Sequence, residues 1–240
     1  MQNNLGQNNI VTAAFLIIGN EILSGKTQDT NLANLAQNLN KSGVRLMEVR
    51  VVLDIKDEII KATKELSDKY NYLFTSGGIG PTHDDITTES IAECFGVKTE
   101  IHPEAYKALN AFYLAKNEVM NEGRTKMAII PLGASLINNS VSIAPGFRLK
   151  NVFVMAGVPK IFSAMLGEAL KEINGGAVML SKSIDINLTE GVIAQRLTQI
   201  QNQNPSVEIG SYPKDGYTQI VVAGYNQASI EAVIELVKSL

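Results

Sequence analysis

The hydrophobic and polar positions of the chain change period repeatedly, and each change predicts an element of secondary structure. Residues 11–18 form a nearly continuous apolar run, which is typical of a strand covered on both faces, as in a parallel sheet. Apolar positions then alternate between helical spacing and short extended runs, which predicts helices at 32–39 and 57–66 and strands at 44–53 and 72–75. Strands that alternate with helices indicate right-handed βαβ units and a mostly parallel sheet.

The pattern is less regular further along the chain. Apolar spacing and two prolines predict helices at 103–117 and 160–173, and strands within 127–137 and at 152–155. Residues 138–147 are rich in small side chains, so we expect them to form a loop.

A second pattern begins after Asn174-Gly175-Gly176, where the sequence predicts a domain boundary. An Asp-Gly pair at Asp215 separates two alternating runs, which is a strong hairpin signal. With the predicted flanking strand and two helices, the order becomes β-α-β-β-α. We therefore expect an α/β domain at 1–174 and a small α+β domain at 175–240. The latter has no cluster of acids, histidines or cysteines, which favours a structural or oligomer-forming role.

The most specific chemistry lies in the segment that follows the third predicted strand. Gly77, Gly78 and Gly80 give three glycines in four residues, and Asp84 and Asp85 follow before a predicted helix. Turn amides and a helix N-terminus offer N–H donors to a phosphate, and the carboxylates can hold a divalent metal against it. The alternative is a tight turn with solvated acids, which the adjoining carboxylates make less favourable.

Polar clusters follow each of the first three predicted strands. They comprise residues 19–25, which we expect to form a glycine-bounded loop, Asp54 and residues 77–87. In parallel sheets ligands bind beyond the carboxyl ends of the strands, so we expect these three clusters to converge on one site.

Composition restricts the class of protein. The 240 residues carry a formal net charge of −3 without a basic stripe, which argues against nucleic acid as the partner. A single cysteine, Cys94, cannot form an intrachain disulfide and fits a reducing compartment. The polar N-terminus resembles a frayed tail rather than a signal peptide, and no apolar run reaches the ~18 residues that cross a bilayer. We therefore expect a cytoplasmic protein that does not contact membranes.

Several short motifs together resemble a known family. They are Gly19-Asn-Glu-Ile-Leu-Ser-Gly25, Asp29-Thr-Asn31, Val52-Leu-Asp54, Ser76-Gly-Gly-Ile-Gly-Pro-Thr-His-Asp-Asp-Ile-Thr87, Ala144-Pro-Gly-Phe147 and Gly157-Val-Pro159. In this order they resemble the N-terminal domain of competence/damage-inducible protein A, in the molybdopterin-binding (molybdenum cofactor biosynthesis) superfamily. The chain is similar to a short, standalone form without the amidohydrolase domain of longer relatives.

The resemblance implies a three-layer α/β/α domain that takes a nucleotide-like or pterin-like phosphate ligand. It implies metal-dependent hydrolysis of a nucleoside-diphosphate-linked compound such as ADP-ribose or FAD, with Mg²⁺, Mn²⁺ or Co²⁺ as cofactor. Asp85, Asp54 and Asp84 are the expected catalytic and metal-binding acids. The expected substrate contacts are Gly77, Gly78, Gly80, Thr82, Thr87, Asn20, Glu21, Ser24, Asp29, Asn31, Pro145 and Gly146.

Other interpretations stay open at several of these positions. Asp84 can be a favourable charge at a helix start, Asp54 a solvated acid, and Glu21 and Asp29 helix caps. His83 can act as a general acid or simply hold its loop. Where the family usually has glycine, proline and glutamate, the chain has Ser142, Ala156 and Ile161. These departures favour the alternative of a binding module without turnover. A purely structural role in an oligomer, with a dimer favoured, is the third interpretation.

Overall fold

The computed structural model describes residues 10–240, and the predicted polar tail lies outside the described residues. The chain forms two compact units, which consist of Ile10–Gly175 and Gly176–Leu240. No helix within residues 10–240 is long and apolar enough to cross a membrane.

The larger unit contains the predicted alternation of strands and helices. Its elements are β1 (Val11–Ile18), α1 (Asn20–Leu23), α2 (Asn31–Lys41), β2 (Val44–Val52), α3 (Lys56–Lys69), β3 (Tyr72–Ser76), α4 (Thr87–Cys94), β4 (Thr99–Ile101), α5 (Pro103–Leu114), α6 (Glu122–Lys126), β5 (Ile129–Pro131), β6 (Ser135–Ile137), β7 (Gly146–Leu149), β8 (Val152–Met155) and α7 (Pro159–Ala169).

Six of these strands form the central sheet, in the order β2-β1-β3-β8-β7-β6. The first four strands of this order are parallel. β7 is antiparallel to its neighbour β8, and β6 is antiparallel to β7, so that β6 again runs in the direction of the parallel strands. The expected mostly parallel α/β fold is therefore confirmed. The short strands β4 and β5 form a separate antiparallel pair.

The uniform apolar run of β1 is explained by helices on both faces of the sheet. Phe15 belongs to one buried cluster, which also contains Leu35 of α2 and Phe162 of α7. Its neighbour Leu16 belongs to a second cluster, which also contains Ile59 of α3 and Ile91 of α4. Successive strand residues point to opposite faces, so the two clusters make the three layers helix, sheet and helix.

Two local expectations were wrong. Residues 138–147 do not form a loop throughout, because Gly146 begins strand β7, where its Cα faces the Val154 carbonyl and leaves no room for a side chain. The glycine that suggested a loop is thus required by close strand packing. Residues 19–25 are not an open loop either, since residues 20–23 form the short helix α1.

The smaller unit has the predicted β-α-β-β-α order. It consists of β9 (Leu180–Ile186), α8 (Glu190–Gln203), β10 (Val207–Lys214), β11 (Tyr217–Gly224) and α9 (Gln227–Lys238). The strands form an antiparallel sheet in the order β10-β11-β9, and the hairpin turn contains Gly216 at φ +85°. Buried Ile220 and Val222 of β11 pack with Ile193 of α8 and Ile230 of α9 in a separate core.

Candidate functional site

The carboxyl ends of the central parallel strands meet as the sequence predicts. The N–H of Gly19, after β1, donates to the Val52 carbonyl at 3.2 Å, and the N–H of Gly77, after β3, donates to the Met155 carbonyl at 3.0 Å. A cavity of about 510 Å³ opens beside these ends and contacts the segments after β1, β2, β3 and β8. Its volume is sufficient for a small organic ligand.

The glycine turn after β3 has a conformation that other residues rarely adopt. Gly77 and Gly78 have φ of +108° and +68°, and a Cβ at Gly78 would overlap the hydroxyl of Thr87. That hydroxyl donates to the Gly77 carbonyl at 3.0 Å, and the Thr87 N–H donates to the Gly78 carbonyl at 2.9 Å. Thr87 is fully buried, so it clamps the turn from behind and does not line the cavity.

Thr82, three residues earlier in the chain, fixes the side chain of Asp85 at the cavity. Its Oδ2 accepts a hydrogen bond from the Thr82 N–H at 2.8 Å and another from the Thr82 hydroxyl. A Cβ on Gly80 would stand 2.7 Å from the same oxygen. The absence of a side chain at Gly80 therefore leaves the space that the Asp85 carboxylate occupies.

Asp84 also lines the cavity, but its side chain is exposed. The pKa of Asp84 lies below its usual value. A hydrogen bond from the Thr82 hydroxyl, another from the backbone N–H of Asp84 itself and nearby positive charges lower it. Because this hydroxyl has only one hydrogen, it can donate to only one of the two carboxylates, Asp84 or Asp85, at a time. The ammonium group of Lys126 in α6 donates to the Thr82 carbonyl at 2.5 Å, which links this loop to α6. His83 is exposed and does not line the cavity.

Asp54 reaches the cavity from the end of β2. Its Oδ2 accepts from the Asn20 N–H at 2.9 Å, and the Asn20 side-chain oxygen accepts from the Asp54 N–H at 3.2 Å. This reciprocal pair joins the loops after β1 and β2. Asn20 thus positions Asp54 rather than lining the cavity itself.

The polar residues predicted as ligand contacts between β1 and the start of α2 have different positions in the structure. One of them lines the cavity, and the others form hydrogen bonds within the protein. Glu21 lines the cavity, whereas Ser24 donates to the Glu21 carbonyl at 3.2 Å. Asp29 accepts from the Leu32 N–H at 2.8 Å and so caps α2. Asn31 is buried and donates to the Ser76 hydroxyl at 3.0 Å and the Gly157 carbonyl at 2.8 Å. Asp29 and Asn31 line a smaller cavity of about 50 Å³.

The structure thus sorts the predicted residues into two sets. Those that line the 510 Å³ cavity are Glu21, Asp54, Gly77, Gly78, Gly80, Thr82, Asp84 and Asp85. Those that lie outside its lining are Asn20, Ser24, Asp29, Asn31, Thr87, Pro145 and Gly146. Within residues 10–240, no group of three or more His, Cys, Asp or Glu side chains is close enough to hold a metal ion unaided.

Part of the cavity wall was not predicted from the sequence. Asn139 is buried and accepts from the N–H groups of Val141 and Ser142 at 2.9 and 3.2 Å. Its amide also donates to the Ser142 hydroxyl at 2.6 Å. The Asn-Asn-Ser sequence was a turn signal, but nothing in it showed that the turn faces the glycine loop. Three further residues that line the cavity are those at which the chain differs from the usual family pattern: Ser142, Ala156 and Ile161.

The fold and the cavity define an α/β domain with a ligand-sized cavity at the carboxyl ends of its parallel strands. Residues 14–174 match the family described as "Probable molybdopterin binding domain", and residues 178–240 match "FAD synthase, middle domain". The chain therefore belongs to the probable molybdopterin binding domain family.

Individual relatives agree with this membership. A protein of Archaeoglobus fulgidus is 34% identical over 228 residues, which cover 94% of this chain and 97% of that protein. A Caenorhabditis elegans protein named "Probable FAD synthase" is 32% identical over 257 residues, and the match covers 95% of this chain but only 50% of that protein. Among solved structures, the protein CinA of Thermoplasma acidophilum, titled as having unknown function, is 34% identical with a TM-score of 0.63. It covers 68% of this chain and 98% of its own.

Proposed function

We propose that the cavity binds the diphosphate of a nucleotide-linked compound and hydrolyses it with a divalent metal ion. One observation carries this proposal: the glycine turn, Asp85 and Asp54 line the same cavity although they follow different strands. Donors for phosphate and oxygen ligands for a cation are thus brought together, which is the composition that metal-assisted phosphate chemistry uses.

The backbone of the turn supplies the phosphate donors. The Gly77 N–H is used within the sheet, so the amides from Gly78 to Gly80 are the groups that donate to phosphate oxygens. The clamp by Thr87 fixes these amides before the ligand arrives. Preorganised donors of this kind stabilise negative charge that develops in a transition state, and each is worth roughly 3 kcal/mol.

The acids present fit a Mg²⁺-like ion even without a protein cage. Mg²⁺ in nucleotide sites usually takes one or two carboxylates and completes its shell with phosphate oxygens and water. Asp85 and Asp54 each accept a hydrogen bond from the backbone N–H of another residue, Thr82 and Asn20 respectively, which positions their carboxylates. Such an ion, when bound, neutralises the diphosphate and lowers the pKa of an attacking water.

The relatives support a dinucleotide diphosphate as the substrate class. FAD, to which the name of the C. elegans relative refers, contains a pyrophosphate between two nucleoside-like halves. The match of residues 178–240 to a FAD synthase domain adds that the second unit also resembles part of such a protein. ADP-ribose and FAD are therefore the first compounds to test.

A non-catalytic binding domain is the second candidate, and the apolar side of the cavity favours it. Ile161 stands where the family resemblance led us to expect an acid, and it packs against the core cluster as well as lining the cavity. Because the residue at this position is isoleucine, it contributes no carboxylate to the apolar side of the cavity. Turnover then depends on the carboxylates of the loops after β1, β2 and β3.

The test is release of AMP from ADP-ribose or FAD in the presence of Mg²⁺, Mn²⁺ or Co²⁺. We expect Asp85→Asn to lower the rate at least a hundredfold, because the amide loses the charge that would hold the cation. Asp215→Asn, in the hairpin of the other unit, is the matched control and should keep full activity. Binding without AMP release with any of the three metals would establish the second candidate. Full activity of Asp85→Asn would remove Asp85 from the mechanism.

A further inference from the structure

A second cavity lies beside Pro81, which follows the glycine turn at residues 77–80. Its volume is about 550 Å³, and it is lined by Pro81, Tyr113, Asn121, Glu122, Gly123, Arg124 and Met127. Pro81 and Met127 also line the cavity of the candidate site. The two cavities therefore share a wall made of two apolar side chains, with the diphosphate donors on one side of it.

The shared wall is built by tight packing between the glycine loop and α6. A Cβ at Gly123 would stand 3.0 Å from the Pro81 carbonyl oxygen, which is a tight contact, so glycine at this position favours the close approach of α6 to Pro81. Lys126, one turn later, donates to the Thr82 carbonyl. The second cavity consequently keeps a fixed position relative to the phosphate donors.

Arg124 gives the second cavity a flat, preorganised surface. Its guanidinium lies 3.9 Å from the centre of the Tyr113 ring, donates to the Val119 carbonyl and forms an ion pair with Glu118. Its side chain is still 22% exposed. A guanidinium held in a plane by such partners presents a face on which a further planar ring can stack.

The charges of this cavity indicate which ligand group it suits. The positive charge of Arg124 is neutralised by Glu118, and Glu122 adds a negative charge to the lining. A second phosphate would be repelled, whereas an uncharged aromatic ring gains stacking and apolar contact with Pro81 and Met127. The Asn121 side-chain oxygen accepts a hydrogen bond from the backbone N–H of Arg124 at 2.9 Å, and its amide N–H groups are donors from which a ring nitrogen could accept.

We propose that this second cavity, formed by Arg124, Tyr113, Pro81 and Met127, is the subsite for a planar heterocyclic base of the ligand. The inference rests on the proposed function, because it takes the diphosphate to lie on the glycine turn. The proposed subsite narrows the ligand class to diphosphates that carry an aromatic base. The base would lie on one side of Pro81 and Met127, and the diphosphate on the other. Adenine and flavin rings share this chemistry.

The test compares two probes by calorimetry in the presence of Mg²⁺: inorganic pyrophosphate, which has no base, and ADP-ribose. Each probe carries a methylene group in place of the oxygen that bridges its phosphorus atoms, so that it binds without being hydrolysed. Arg124→Met keeps an unbranched side chain over Tyr113 but removes the flat guanidinium. We expect it to weaken ADP-ribose about tenfold, the effect of losing one stacked base, and to leave pyrophosphate within twofold. FAD as a third ligand identifies the ring, since a loss with FAD alone assigns the subsite to the flavin.

Arg148→Met is the matched control. Arg148 also lies over an aromatic ring, Phe153, at 4.9 Å and pairs with Glu172, but it lines neither cavity. It should change no affinity. Wild-type protein that binds neither ADP-ribose nor FAD better than pyrophosphate overturns the subsite and leaves the proposed function standing. An Arg124→Met variant that weakens pyrophosphate as much as the probes with a base, or that weakens neither ADP-ribose nor FAD, has the same meaning. Wild-type protein that binds none of the probes overturns both.

Discussion

Gly78→Ala tests whether the glycine turn is held by Thr87 as the structure shows. An alanine at φ +68° adopts the left-handed conformation, which costs about 1–2 kcal/mol. Its Cβ would also overlap the Thr87 hydroxyl and displace it from the Gly77 carbonyl. Loss of that buried hydrogen bond costs a further ~1–3 kcal/mol. We therefore expect a total destabilisation of roughly 2–5 kcal/mol, together with loss of pyrophosphate binding.

Gly96→Ala separates the two contributions. Gly96 has φ +66°, nearly the same as Gly78, but open space surrounds the position of its Cβ. It should show the conformational cost alone, about 1–2 kcal/mol. Hydrogen exchange measured on peptides of β3 and α4 reports the stability of the larger unit independently of the smaller one.

Thr87→Ala completes a double-mutant cycle with Gly78→Ala. Once the hydroxyl is absent, the nearest atom to the added methyl group is the Cβ of residue 87 at 3.1 Å, so the cost of Gly78→Ala should fall towards that of Gly96→Ala. The coupling between the two substitutions should then be about 1–3 kcal/mol, the value of the displaced hydrogen bond. Equal costs of Gly78→Ala in both backgrounds would refute the clamp, as would a Gly78→Ala cost no greater than that of Gly96→Ala.

Two further predictions concern titratable groups away from the site. Hydrogen bonds from Arg50, Lys69 and a neighbouring tyrosine lower the pKa of Glu48 from 4.5 to about 2, so its stabilisation is present above pH 4.5 and is lost as the pH falls towards 2. Because the Glu48 side chain is 26% exposed, Glu48→Gln should lower the free energy of unfolding by only about 1–2 kcal/mol at pH 7. The loss should be small at pH 2, and equal losses at the two pH values would contradict this role of Glu48. Burial raises the pKa of the Cys94 thiol, so iodoacetamide at pH 8 should label the native protein more slowly than the urea-unfolded chain, and equal rates would exclude this protection.

The parts of the site that the sequence predicted are those encoded by adjacent residues. A buried strand followed by glycines and acids contains its own turn and its own carboxylates, so Gly77 to Asp85 could be placed at a strand end from spacing alone. Asp54 followed from the same rule, because all carboxyl ends of parallel strands lie at one edge of the sheet. The alternation of β1 between two buried clusters likewise follows from its unbroken apolar run.

What could not be predicted depends on contacts between distant segments. Thr87 was expected to touch the ligand because it is polar and adjoins the motif, but its contact with Gly77 shows that it clamps the turn. Asn31 was expected at the wall, yet two buried partners, Ser76 and the Gly157 carbonyl, take its amide hydrogens. The placement of α6 against Pro81 has no local signal, since Gly123 reads simply as a weak point in a helix.

The two walls of the candidate cavity also constrain how a ligand can lie in it. The glycine turn, Asp85 and Asp54 make one side polar, whereas Ile161, with Val158 and Met165 beside it, makes the other side apolar. A charged diphosphate gains donors only on the polar side, because burial against the apolar side would cost it solvation without replacement. An uncharged half of the ligand has the opposite preference. With isoleucine at position 161, the hydrolysis that we propose would rest on the carboxylates of the polar side, and the apolar side would suit the uncharged part of a two-part ligand with a charged centre.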